Sequence, residues 1–150
     1  QCRKRIKTTE EMIYAVIDTN ILVSAMLTHN PQAATARVLD YIVEGVITPV
    51  YNDDIISEYQ EVLNRPKFCF DPLLVKYVLD YFRHYGIQVQ PAPYEGSMPD
   101  EKDRAFYEVS LGLPDSFLVT GNLKHFPSTP RVISPTEMAA LIESALGPTL

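Results

Sequence analysis

The segment Tyr14-Ala15-Val16-Ile17-Asp18-Thr19-Asn20 constrains the fold more than any other. Its apolar run, Ala15-Val16-Ile17, has no polar alternation and stops abruptly at a carboxylate. Such a strand has no face to offer water. Sheets buried on both faces are parallel sheets covered by helices. Parallel neighbours cannot be joined by a hairpin, so each strand must be followed by a crossover, usually a helix. Ligands of such sheets collect just beyond the carboxyl ends of the strands. Asp18 stands in that position. Asp18 or Thr19 equally suits the cap of the helix that begins next, and the segment alone leaves both readings open.

The rest of the chain meets the requirement for alternation. A strand over Tyr14–Asp18 precedes a helical stretch over Ile21–Leu27 and, after Asn30-Pro31, a helix from Gln32 to Glu44 that Gly45 ends. A second strand is predicted over Val46–Tyr51, interrupted by Pro49, and then a helix over Asp53–Asn64, stopped by Arg65-Pro66. Asp71-Pro72 opens a helix with Pro at its first position. Leu74, Tyr77, Val78, Tyr81, Phe82 and Tyr85 form its apolar stripe, and Gly86 closes it. Strands over Ile87–Gln90, Ser116–Thr120 and Arg131–Ser134 follow, with a helix from Asp100 to Gly112 between the first two. Ser134-Pro135-Thr136-Glu137 is a strong start for a last helix using Met138, Leu141 and Ile142. The expected fold class is α/β: a three-layer α/β/α sandwich around a central parallel sheet of four to five strands, joined by right-handed crossovers. The domain spans 13–146. Residues 1–12 read as a flexible or non-native tail and 147–150 as a C-terminal tail.

Composition narrows the setting. The 150 residues suit one domain with a real core. No apolar run approaches the ~20 residues that span a bilayer, so no membrane association is expected. Arg3-Lys4-Arg5 leads into polar residues rather than a secretory apolar stretch. Cys2 and Cys69 make no disulfide framework, and Cys69 between two phenylalanines reads as a small buried hydrophobe. The expected location is a reducing cytoplasm. A net charge of −6 argues against a broadly basic nucleic-acid surface. It remains compatible with acids gathered to hold metal ions.

Several acids could join Asp18. On the Asp53–Asn64 helix, Ile55, Tyr59, Val62 and Leu63 define the buried face. Glu58 lies at its edge, as a cleft carboxylate or an ordinary boundary residue. Glu61 pairs more naturally with Arg65. Asp100 and Asp103 begin the next candidate helix, where capping and the helix dipole also suit them. Asn122 follows a strand end as Asp18 does, or is a turn residue after Gly121. His125, beside Phe126, reads as a packed or surface histidine, because no second His or Cys completes a zinc set. Hard oxygen ligands without a Cys/His cluster suit one or two Mg²⁺ or Mn²⁺ ions. Carboxylates around such ions can activate water and stabilise an in-line phosphoryl displacement.

Four stretches carry a family resemblance: V-I-D-T-N-I-L-V-S-A, E-Y-Q-E-V-L-N-R-P, P-D-E-K-D-R-A-F-Y-E-V-S-L and F-L-V-T-G-N-L-K-H-F. In this order and spacing they resemble the PIN domain over about residues 13–143, most closely the toxin branch found in toxin–antitoxin pairs (VapC-like). The resemblance implies a metal-dependent endoribonuclease that cuts RNA by attack of water. Asp18 matches the family's first acid, Glu58 its second and Asp103 its third, with Asp100 an additional acid. Thr120-Gly121-Asn122 matches the place of a fourth acid, and here the chain departs, with Asn122 in place of Asp. The implied metal set is Asp18, Glu58, Asp100, Asp103 and Asn122. Thr19, Asn20 and Thr120 would fix the carboxylates. Arg104 and Lys124 flank the acids and would be RNA-phosphate contacts or solvated surface charges. Implied partners are RNA, an antitoxin protein and a second copy of the chain, with the exposed side of the tyrosine-rich helix as a contact surface. The alternative is a catalytically weak or inactive RNA- or protein-binding module of the same fold. A phosphatase of the haloacid-dehalogenase type would need a second Asp where this chain has Asn20.

Overall fold

The computed structural model describes residues 12–146. Of the expected N-terminal tail 1–12, residues 1–11 lie outside the described residues, as does the expected C-terminal tail 147–150. Five strands, β1 (Ile13–Ile17), β2 (Ile47–Tyr51), β3 (Ile87–Gln88), β4 (Phe117–Val119) and β5 (Val132–Ile133), form one sheet in the order β3-β2-β1-β4-β5. Every pairing is parallel. Among the described residues six α-helices flank it: α1 (Thr19–Leu27), α2 (Ala34–Val43), α3 (Asp53–Leu63), α4 (Pro72–Tyr85), α5 (Arg104–Gly112) and α6 (Pro135–Leu146). Contacts join α2 to α1 and α6, and α3 to α4 and α5. This is the α/β sandwich that the alternation demands. No helix among the described residues is long and apolar enough to cross a membrane.

The strand order positions the site. From central β1 the chain winds outward through β2 to β3, then returns to the other side of β1 for β4 and β5. The reversal leaves a crevice between the carboxyl ends of β1 and β4, where open α/β sheets take ligands. Ala15, Val16, Ile17, Leu118 and Val119 are fully buried there. The bottom of the crevice is therefore fully packed.

Local signals explain most element ends. Gly45, at φ 83°, closes α2; its N–H donates to the Ile42 carbonyl and the Val46 N–H to Tyr41, a Schellman arrangement. The Ser134 hydroxyl accepts from the Glu137 N–H while the Glu137 carboxylate accepts from the Ser134 N–H, the reciprocal box that starts α6. A Cβ at Gly112 would lie 2.1 Å from the Gln90 carbonyl, so only glycine lets α5 end against the segment after β3.

Several expectations change. β2 runs unbroken through Pro49, and pairing with β3 begins only at Val50. β3 stops at Gln88, and the helix expected from Asp100 divides into a 3₁₀ turn (Glu101–Asp103) followed by α5. On α4 the buried residues are Val75, Val78, Leu79 and Phe82, while Leu74, Tyr77 and Tyr85 are about half exposed. The helix is apolar round more than one stripe, and tyrosine suits the rim because its hydroxyl can reach a polar partner. The Tyr81 hydroxyl does so, donating to the Val43 carbonyl. Cys69 is exposed rather than buried, because it ends a 3₁₀ turn at φ 55° and its thiol turns back to the Pro66 carbonyl.

Candidate metal centre

Asp18 ends β1 and precedes the first turn of α1. It occupies the N-cap position, yet its side chain makes no capping bond. The carboxylate instead accepts from the Thr120 hydroxyl at 2.7 Å, across the crevice from the end of β4. The Asp18 N–H donates to the Val119 carbonyl, so both strand ends are tied together. Asp18 is 6% exposed. Burial raises its pKa above the ordinary 3.8, opposed by the Thr120 hydroxyl, the nearby amides of Thr19 and Asn20, and His125. A carboxylate is thus held in a place that disfavours its charge, by a partner that does not neutralise it.

Tyr59 supports this position from below. It is fully buried on α3, and its hydroxyl donates to the carbonyl of Ile17, the residue before Asp18. Its ring packs edge-on against Phe82 at 5.5 Å and near Phe106 at 6.2 Å. The end of β1 is thereby coupled to three helices.

Asp100 and Asp103 arrive with the 3₁₀ turn ahead of α5. Asp100 accepts from the Lys102 N–H and so does cap that turn. Asp103 makes no capping bond. Its pKa is pushed up to about 6 by burial and by the charges of Asp18 and Asp100, with His125 opposing. These carboxylates therefore feel one another across the cleft. Asp100, Asp103 and His125 offer ligand atoms that all lie within 4.8 Å of one another.

A cleft of about 310 Å³ is lined by Asp18, Thr19, Asn20, Glu58, Val62, Arg65, Asp100, Lys102, Asp103 and His125. Of the acids expected to meet, Asp18, Glu58, Asp100 and Asp103 share this cleft. Glu58 is exposed on its wall. Asn122 does not line it; its N–H donates to the Thr120 hydroxyl. Arg104 is engaged elsewhere: its guanidinium donates to the Tyr94 and Gly96 carbonyls and to Glu101, clamping the 94–96 loop onto α5. Lys124 is exposed on the 3₁₀ turn Leu123–His125, away from the cleft lining. The cations that do line the cleft are Arg65, paired with Glu61 as expected, and Lys102. His125, expected as a packed or surface histidine, lines the cleft as well. The signal for it was its place one short turn beyond Asn122, after a strand whose neighbour bears Asp18.

The residues fit a hard divalent cation. Thr19 is 4% exposed, and its hydroxyl, on a residue lining the cleft, has no hydrogen-bond partner among the described residues. A buried hydroxyl without a partner is costly, and like-charged carboxylates beside it repel. A cation with oxygen ligands would relieve both, and the donor set suits Mg²⁺ or Mn²⁺.

The repulsion has a measurable consequence. Because the folded pKa of Asp103 lies above its ordinary 3.8, the folded state holds this proton more tightly than the unfolded chain does. The resulting stabilisation is full below pH 3.8 and is lost as pH rises through about 6. Metal-free protein is therefore expected to lose on the order of 1 kcal/mol between pH 5 and 7, discounted for the partial exposure of this carboxyl. That is ~2–4 °C in melting temperature. Thermal melts in EDTA check this, and Asp103→Asn should flatten the slope.

The PIN domain family model matches residues 14–124, which include every residue of this cleft except His125. No curated protein and no solved structure matches the chain. The match covers well over half of the chain, and the strand order and acid cleft agree with it: the chain belongs to the PIN domain family.

Proposed function

We propose that the protein is a metal-dependent endoribonuclease that hydrolyses RNA phosphodiester bonds, and that it is the toxin of a toxin–antitoxin pair. PIN domains are generally nucleases that use divalent metals. One observation carries the reading for this chain: Asp18, Glu58, Asp100 and Asp103, from three separate segments, line one cleft at the carboxyl edge of the sheet. When bound, Mg²⁺ or Mn²⁺ supplies Lewis acidity at the phosphate and makes water a better nucleophile.

Asp18, Asp100 and Asp103 would hold the ion, with Glu58 as the further carboxylate on the cleft wall. Thr120 keeps the Asp18 carboxylate in one orientation through its 2.7 Å bond. Asn20 lines the mouth of the cleft. Lys102 lines it too and has no ion-pair partner among the described residues, so it is free to meet a substrate phosphate. An antitoxin segment reaching into the same cleft would exclude RNA. The half-exposed Leu74, Tyr77 and Tyr85 of α4 suit contact with a second copy. A cytoplasmic location follows from an RNA target.

The neutral Asn122, off the cleft, favours a second reading as a binding module with weak or no catalysis. Incubation of the purified protein with mixed single-stranded and structured RNA, with Mn²⁺ or with EDTA, separates the two. Cleavage that EDTA abolishes is the expected result. RNA binding without cleavage in Mn²⁺ would replace the nuclease reading with the binding one.

A further inference from the structure

We propose that His125 is a nitrogen ligand of the metal centre and biases it toward transition-metal cations such as Mn²⁺ over Mg²⁺. The inference rests on the metal-centre reading above and assigns a residue beyond its acids. Its basis is geometric. His125 Nδ1 lies 3.2 Å from Asp103 Oδ2, and one ligand atom each of Asp100, Asp103 and His125 fall within 4.8 Å of one another. Adjacent ligands of an octahedral cation held at about 2.1 Å are about 3 Å apart. The imidazole and the carboxylate are therefore spaced as two neighbouring ligands of one ion.

The backbone explains how the ring comes to be there. β4 ends at Val119, and Thr120 binds Asp18. The 3₁₀ turn Leu123–His125 follows, closed by the His125 N–H donating to the Asn122 carbonyl. Phe126 is 3% exposed and anchors the far side of the turn in the core. The His125 backbone is thus held between a bonded strand end and a buried ring. Its side chain keeps 46% of its surface exposed and can settle onto an ion.

The chemistry follows from ligand type. Mg²⁺ demands oxygen ligands and keeps several waters, whereas imidazole nitrogen is accepted increasingly along the first-row transition series. An all-carboxylate cleft would discriminate little between Mg²⁺ and Mn²⁺. An imidazole as a ligand favours Mn²⁺. A simple hydrogen-bonded or ionic His–Asp contact would leave the preference unchanged.

The test uses the metal-stripped full chain, wild type and His125→Ala, titrated separately with Mn²⁺ and Mg²⁺ by calorimetry. His125→Ala is expected to weaken Mn²⁺ binding by about tenfold or more and Mg²⁺ binding by less than about threefold. Pulsed electron paramagnetic resonance of the Mn²⁺-loaded wild type should carry a coupling from a ligated nitrogen, absent in His125→Ala. Circular dichroism confirms that the variant is folded. Tight Mn²⁺ binding without the nitrogen coupling, and with the same Mn²⁺:Mg²⁺ ratio in both proteins, overturns the His125 assignment and leaves the carboxylate centre standing. Failure of the wild type to bind either cation overturns both.

Discussion

Asp18→Asn is expected to abolish RNA cleavage, by about 10³-fold or more, while the protein stays folded and its metal-free form melts at an equal or higher temperature. The two effects come from one fact. Asp18 is almost fully buried at the end of β1, and burial makes its charge unfavourable. An amide of the same shape can still accept from the Thr120 hydroxyl, so the tie to β4 survives. What is lost is the negative charge that would hold the cation. Lewis-acid stabilisation of a phosphoryl transition state is worth several kcal/mol, and each 1.36 kcal/mol is tenfold in rate. Cleavage assays and melts in EDTA on matched preparations check both halves. Retained cleavage would remove Asp18 from the centre. A melting temperature that falls by many degrees would mean the carboxylate is structural.

Tyr59→Ala is expected to destabilise the protein by about 3–5 kcal/mol, enough to threaten folding at physiological temperature. Tyr59 is fully buried, its ring meets Phe82 and Phe106, and its hydroxyl satisfies the Ile17 carbonyl. Tyr59→Phe separates the terms. It keeps the ring and leaves that carbonyl without the hydroxyl, at a cost of about 1–2 kcal/mol. Denaturant titrations of both variants measure these values. Because Ile17 directly precedes Asp18, Tyr59→Phe should also weaken Mn²⁺ binding several-fold while leaving the carboxylates unaltered. Unchanged affinity would show that the position of Asp18 depends on β1–β4 pairing alone.

Much of the fold was legible because its signals are local. The unbroken apolar run into Asp18 required a parallel sheet, and the spacing of strands and helices followed. The Ser134–Glu137 box, Gly45 and Asp71-Pro72 marked helix ends that the structure keeps, since caps depend on residues within one turn. Two apolar stripes on α4 were not distinguishable, because periodicity says that a face is apolar and not which neighbour covers it. The conformation of Cys69 was likewise hidden in the turn after Phe68.

The site divides in the same way. The amino-acid sequence places Asp18, Asp100 and Asp103 at strand and helix ends and Glu58 at the edge of a buried helix face, and so these four could be singled out from it as candidates. Only the tertiary structure decided what surrounds them. Thr120 meets Asp18 across 102 residues, because the chain returns past β2 and β1 to lay β4 beside β1. That return also carries His125 to Asp103. The folded loop before α5 takes Arg104 as a clamp and leaves Lys102 and Arg65 as the cleft cations. Caps and periodicities are energies between residues close in the chain and leave a pattern in it. The cleft is made by strand order, an energy of the whole core, which no short stretch of sequence records.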